Sequence, residues 1–245
     1  MRPVRRGSSP QADDFEPYTD AKPELISRLG GYCSYCERRI ATNLAVEHIQ
    51  PKKLAAYVHL EGRWENFLLG CVNCNSTKSK KDVLLDHILL PDRDNTFLAF
   101  TYSPDGTVSC SPDADAHGIT EKAQGTLALT GLDKRISAVL DENGKRVSID
   151  RVSQRLETWA VAEESREDVN NHPGNDALRR GAVRTALGYG FFSIWLTVFK
   201  DDNDMCNRLI DAFPSTRESG CFNPADAAPV SPAPNPDGLA GGGKI

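Results

Sequence analysis

Two short stretches decide how this chain folds: GGYCSYCERRI at residues 30–40 and GCVNCNSTKSKK at residues 70–81. Each places two cysteines at C-x2-C spacing, Cys33 with Cys36 and Cys71 with Cys74, and 34 residues separate the pairs. One such pair alone could close a disulfide, bind a metal with help from elsewhere, or simply be buried. A second matched pair favours a metal. Zinc takes four thiolate or imidazole ligands in a tetrahedron, with sulfur at about 2.3 Å. A two-residue spacer lets one tight turn present two sulfurs to one ion, and two such turns complete the shell. The intervening loop is longer than in short zinc ribbons, but its closure entropy grows only slowly with length. No βαβ pattern surrounds Cys33, so a thioredoxin-like redox motif fits less well. Cys110, Cys206 and Cys221 have no comparable spacing and read as ordinary thiols.

The composition, 39% apolar and 26% charged over 245 residues, is that of a soluble globular protein of one large or two small domains. No run approaches the roughly 18 apolar residues of a membrane span, and no membrane association is expected. The opening MRPVRRGSSPQADD is basic but lacks an apolar stretch, so it does not read as a secretory signal. The expectation is a cytoplasmic protein with reduced thiols. A net charge of −5 hides an asymmetry. Between residues 28 and 82 stand nine Lys or Arg and five acids, a local excess of +4. A basic segment in an acidic chain is suited to gripping phosphates at one face.

The pattern along the chain predicts an α+β fold. Residues 1–20, poor in apolar side chains, read as a flexible arm. KPELISRL at 22–29 reads as a short helix leading into the glycines. FLAFTYSPDGTVSC at 97–110 alternates on both sides of a Ser-Pro-Asp-Gly turn and reads as a β-hairpin. Helical spacing follows over 119–131, 148–169 and 175–199. The tail, including FNPADAAPVSPAPNPDGLAGGGKI from 222, predicts disorder over 216–245 by its Pro, Ala and Gly content.

Between the cysteine pairs lie AVEHIQPKK at 45–53 and RWENFLLG at 63–70. Glu47 and His48 are adjacent polar groups flanked by Val46 and Ile49. Asn66 precedes an apolar run, Asn75 follows Cys74, and Lys78 lies one helical turn beyond. A lone histidine is more often structural than catalytic, and His59, His87, His117 and His172 lack such a frame.

CSYC, VEHIQPK and WENFLLGCVNCNSTK, in that order, resemble the zinc-bearing HNH endonucleases with a ββα-metal core, over about residues 30–82. The flanking LLDHILLPDRDNTFLAF and TLALTGL also resemble the HNH nucleases called PtuB. Those act with an ABC-type ATPase, PtuA, in Septu and retron-linked anti-phage systems. The resemblance implies a nuclease domain over 21–115 with a structural Zn²⁺ on Cys33, Cys36, Cys71 and Cys74. A helical partner-docking region over 116–215 would follow. His48 would be the general base that draws a proton from the attacking water. Glu47 and Asn75 would hold a catalytic Mg²⁺ or Mn²⁺, as their hard oxygens favour. Asn66 would pin the loop that orients His48, and Lys78, with Lys52 and Lys53, would contact phosphates. The resemblance favours DNA as substrate; the residues themselves do not choose between DNA and RNA. A zinc-stabilised adaptor without catalysis is the competing reading.

Overall fold

Helix α1, Lys22–Leu29, ends as the sequence predicts: Gly30, at φ 77°, caps it and turns the chain into the cysteine loop. The computed structural model describes residues 1–134 and 151–245. Beyond the loop, β1 (Ala45–His48) and β2 (Phe67–Gly70) pair antiparallel, with Ala45 opposite Gly70 and His48 opposite Phe67. Every residue of β2 is buried. Cys71 caps the next helix, α2 (Val72–Lys78), so a strand pair runs straight into a helix.

A short α3 (Thr96–Ala99) leads into β3 (Phe100–Tyr102), which forms the predicted hairpin with β4 (Val108–Cys110). Then come α4 (Pro112–Ala116), begun at Ser111, whose hydroxyl accepts from the Ala114 amide, and α5 (Thr120–Thr130). Gly131 closes α5 in the left-handed conformation at φ 63°, a stop the sequence shows. Helix α6 covers Arg151–Asn171; the expected start at 148 lies outside the described residues.

The single helix expected over 175–199 is two. Helix α7 spans Asp176–Tyr189 and α8 spans Phe192–Val198. Between them Gly190 (φ 77°) and Phe191 (φ 54°) leave helical geometry. The break admits the cysteine loop: Gly190 bridges to Arg38, and the Phe191 amide donates to the Glu37 carbonyl at 3.0 Å. A Cβ at residue 190 would meet that carbonyl oxygen at 2.6 Å, so only glycine fits. Helix α9 (Asn203–Ala212) follows, capped by the Asp202 carboxylate on the Met205 amide at 3.0 Å. Phe191, Phe192, Trp195 and Phe199, the richest apolar stretch, lie in the core.

Two expectations of looseness fail. The N-terminal arm is packed from its first residues: Met1, Arg2, Val4 and Arg6 are all buried. The Arg2 guanidinium donates to the Leu29 carbonyl at 2.7 Å, where α1 ends. The segment from 216 is equally anchored, with Phe222, Ala233 and Ile245 buried. Composition misled because the C-terminal segment is held through its backbone groups, which any residue supplies, and the N-terminal arm through arginines that bind distant backbone carbonyls. Residues 92–95 provide most of the anchors. The Asn95 side chain donates to the carbonyls of Cys221 and Val230, both at 2.9 Å. Asp94 accepts from the Lys244 amide at 2.9 Å, and the Arg93 guanidinium donates to the Ala240 carbonyl at 2.8 Å.

Asp92 is the buried charge at the centre. It accepts from Arg6 at 3.0 Å and from two nitrogens of Arg93, each at 3.0 Å. Burial pushes its carboxyl up, but Arg93 and Arg6 outweigh burial and hold it below the usual carboxylate range. The carboxylate's contribution is therefore complete above the unfolded pKa of about 3.9 and is lost as the pH falls through the lower folded value. Asp92→Asn strips two buried guanidiniums of their partner and should cost about 3–5 kcal/mol at neutral pH. Denaturant unfolding of the two proteins at pH 7 and pH 3 checks this. The gap should shrink at the lower pH, and a gap under 1 kcal/mol at pH 7 would remove Asp92 as the anchor.

Candidate active site and thiol cluster

The four sulfurs of Cys33, Cys36, Cys71 and Cys74 converge, all within 4.8 Å of one another, and all four side chains are buried and unoxidised. The Cys36 and Cys71 sulfurs stand 3.7 Å apart. A tetrahedron with sulfur about 2.3 Å from zinc has an edge of about 3.8 Å, close to the Cys36–Cys71 separation, so the cluster is of the size that ion needs. The Cys71 amide donates to the Cys33 sulfur at 3.4 Å, and an Arg151 nitrogen at the start of α6 reaches the Cys74 sulfur at 3.3 Å. Donors of this kind favour thiolates, which metal binding requires. Among the described residues this is the one cluster of three or more Cys, His, Asp or Glu arranged to hold an ion. By contrast, burial pushes the Cys206 and Cys221 thiols up to about 12 and about 11, so both stay protonated.

Next to the cluster lies an open cleft of about 480 Å³, lined among others by Glu47, His48, Lys52, Lys53, Asn75 and Lys78. It forms where α2, fixed at its start by Cys71 and Cys74, turns Asn75 outward and reaches β1 through the buried side chain of Lys78. The Glu47 carboxylate and the Lys78 ammonium are each about 2% exposed and stand 2.8 Å apart. Lys78 also donates to the His48 carbonyl at 2.7 Å. Burial raises the Glu47 carboxyl and Lys78 opposes the rise; the balance leaves it above its ordinary value. Gly70 lies on the other side of Glu47, where an added Cβ would come within 3.0 Å of the Glu47 Cβ.

His48 is held on three sides. The Tyr18 ring meets it edge-on at 4.7 Å and the Phe67 ring at 5.3 Å. Its Nε2 lies 2.9 Å from the Glu61 carbonyl oxygen. A carbonyl only accepts, so Nε2 carries the proton and the neutral ring keeps its lone pair on Nδ1. Burial lowers the His48 pKa, with Lys52 adding to the effect against the Glu61 carbonyl. The shift favours the neutral ring, the state a base needs.

Asn66 fixes the loops on either side of His48. Its Oδ1 accepts from the Gln50 amide at 2.8 Å. Its Nδ2 donates to the Gln50 carbonyl at 3.0 Å and to the Leu60 carbonyl at 3.2 Å. Glu61, whose carbonyl orients His48, follows directly. Asn66 therefore does not touch the cleft itself; it is a positioning residue. The loop bearing it is gripped from the N-terminal arm, since Arg6 donates to the carbonyls of Phe67 and Glu65.

The three lysines expected on phosphates separate. Lys78 is not a surface cation but the buried partner of Glu47, because the last turn of α2 faces β1. Lys52 pairs with Glu61 and lies over the Tyr18 ring at 3.8 Å. Lys53 is exposed at the cleft. Tyr18 and the Glu61 carbonyl carry no sequence signal: the first lies in the segment read as a loose arm, and the second is a backbone group.

The purified protein should carry one zinc per chain by elemental analysis. Cys36→Ser should lower that stoichiometry at least tenfold and lower the melting temperature, because a structural zinc contributes folding energy directly. A variant with full zinc content would exclude Cys36 from the site. Asn66→Ala leaves buried polar groups of residues 50 and 60 without partners and should cost about 1–3 kcal/mol in denaturant unfolding.

No curated protein is significantly similar to this chain. The family model described as HNH endonuclease matches residues 33–81, the segment from Cys33 to the end of the basic run after α2, so the part of the chain that forms the thiol cluster and the cleft is similar to HNH endonucleases.

Proposed function

We propose that this protein is a metal-dependent endonuclease that hydrolyses DNA, with His48 as general base. An HNH domain at residues 33–81 points to metal-dependent nuclease activity. The observation that carries the reading further is the held His48 ring. Its Nε2–H is committed to the Glu61 carbonyl, its rotation is blocked by Tyr18 and Phe67, and its Nδ1 lone pair remains for a proton. Beside it, at a basic cleft, stand the Glu47 carboxylate and the Asn75 amide. These two oxygens suit Mg²⁺ or Mn²⁺, which bind through one or two protein ligands with waters and substrate phosphates completing the shell. When bound, the ion supplies charge stabilisation at the scissile phosphate. Lys78 moderates the charge on Glu47, so ion affinity should depend on the phosphate brought by the substrate.

In this reading His48 takes the proton of the attacking water at Nδ1. The Glu61 carbonyl stabilises the imidazolium that results. Asn66 keeps that carbonyl in place, and the thiol-bound zinc is structural. The helical half is read, on resemblance of sequence, as the surface that docks an ABC-type ATPase in an anti-phage system. Co-purification of the chain with such a subunit tests that extension.

The decisive comparison is plasmid cleavage by the parent and by His48→Ala, with Mg²⁺ and with EDTA. The parent should cut only with the ion, and the variant should lose about 10²–10⁴ in rate while keeping its zinc content and a cooperative unfolding transition. A variant that cuts like the parent ends the role of His48. A parent inert on DNA with every divalent ion favours the adaptor.

A further inference from the structure

The basic segment between residues 28 and 82 is not uniformly paired. Arg28 pairs with Glu24, Lys52 with Glu61, Arg63 with Asp14 and Lys78 with Glu47. Arg38, Arg39, Lys53, Lys80 and Lys81 have no carboxylate partner among the described residues. Lys53 and Lys80 line the cleft that holds His48. Arg38 and Arg39 line a second cleft, of about 650 Å³, between the cysteine loop and helices α6 and α7. Gln154, Thr158, Thr185 and the exposed ring of Tyr189 complete its polar wall, with Glu157 as its one carboxylate.

The two clefts are joined across the exposed face of α2. Val72, Asn75 and Ser76 line the first cleft. Asn73, exposed on the same helix, holds an Arg38 nitrogen at 3.4 Å, and Arg38 in turn holds the Gln154 side chain at 3.1 Å. Cations without a carboxylate partner at both ends, with small polar side chains between, suit an extended polyanion rather than a single small ligand.

We infer that the second cleft is part of the DNA-binding track: DNA cut at His48 continues over α2, and its backbone phosphates reach Arg38 and Arg39 beside Tyr189. This rests on the nuclease reading and extends it, because it assigns substrate contacts to the junction between the HNH domain and the helical region. The cleft gives affinity and register along the strand; it supplies no chemistry.

Gly188 allows a test that does not disturb the fold. It lines the second cleft within α7, and a Cβ added there meets nothing within 4 Å. Gly188→Glu therefore adds a carboxylate to the cleft at little structural cost. Gly174→Glu, in the turn between α6 and α7 and also open within 4 Å, is the control of equal charge. Dissociation constants for a DNA duplex of about 20 base pairs are measured without divalent ion across a salt series. Arg39→Ala should weaken binding about fivefold to tenfold and flatten the slope of log K against log salt by about 0.9, the value for one phosphate contact. Gly188→Glu should weaken binding at least as much, and Gly174→Glu should match the parent. Zinc content and melting temperature report on folding in each variant. A parent that binds DNA while Arg39→Ala and Gly188→Glu bind equally well, with unchanged slopes, removes the track and leaves the active site standing. A parent that does not bind DNA removes both readings.

Discussion

Four thiols meeting at one point are the constraint from which the rest of the site follows. They belong to two turns separated by 34 residues of sequence, and their convergence fixes the start of α2 against the loop that leaves α1. Once α2 is fixed, its register decides which of its side chains face β1 and which face solvent. Lys78 falls inside, against Glu47, and Asn75 falls outside, at the cleft edge. A shift of the helix by one residue would bring Thr77 or Ser79 to the place where Lys78 meets Glu47, so the thiol cluster sets the geometry of the cleft.

The helical half is not an appendage to this core. Glu37, in the cysteine loop itself, accepts from the Ser193 amide at 2.7 Å, the Ser193 hydroxyl at 2.6 Å and the Tyr102 hydroxyl at 3.1 Å. Arg151 brings the first turn of α6 to the Cys74 sulfur. Both contacts are buried, where an unpaired polar group is costly, so the loop and the helices order each other. The break between α7 and α8 has the same origin. A continuous helix there would occupy the space through which residues 37–39 pass.

Around His48 the protein uses groups of low chemical reactivity to set the state of a titratable one. A backbone carbonyl fixes the tautomer, two aromatic edges fix the rotamer, and burial lowers the affinity for a proton. Asn66 and Arg6 act one step further out, by holding the loops that carry those groups. The buried Asp92 with its two arginines connects this shell to the segment from 216, which approaches from the opposite end of the chain.

What the sequence determined alone is the local and the chemical: the C-x2-C pairs, the order of Glu47, His48, Asn66 and Asn75, the hairpin at its Ser-Pro-Asp-Gly turn, and the helix ends at Gly30 and Gly131. Each is written in residue type and short-range spacing, where side-chain chemistry and backbone preference act directly. The fate of Lys78, the Glu61 carbonyl on His48, the break at Gly190 and the anchoring of both end segments were decided by tertiary structure. Those features depend on which backbone oxygen or buried partner a distant segment presents. Backbone groups are identical at almost every position, so no pattern of side chains along the chain records where they meet.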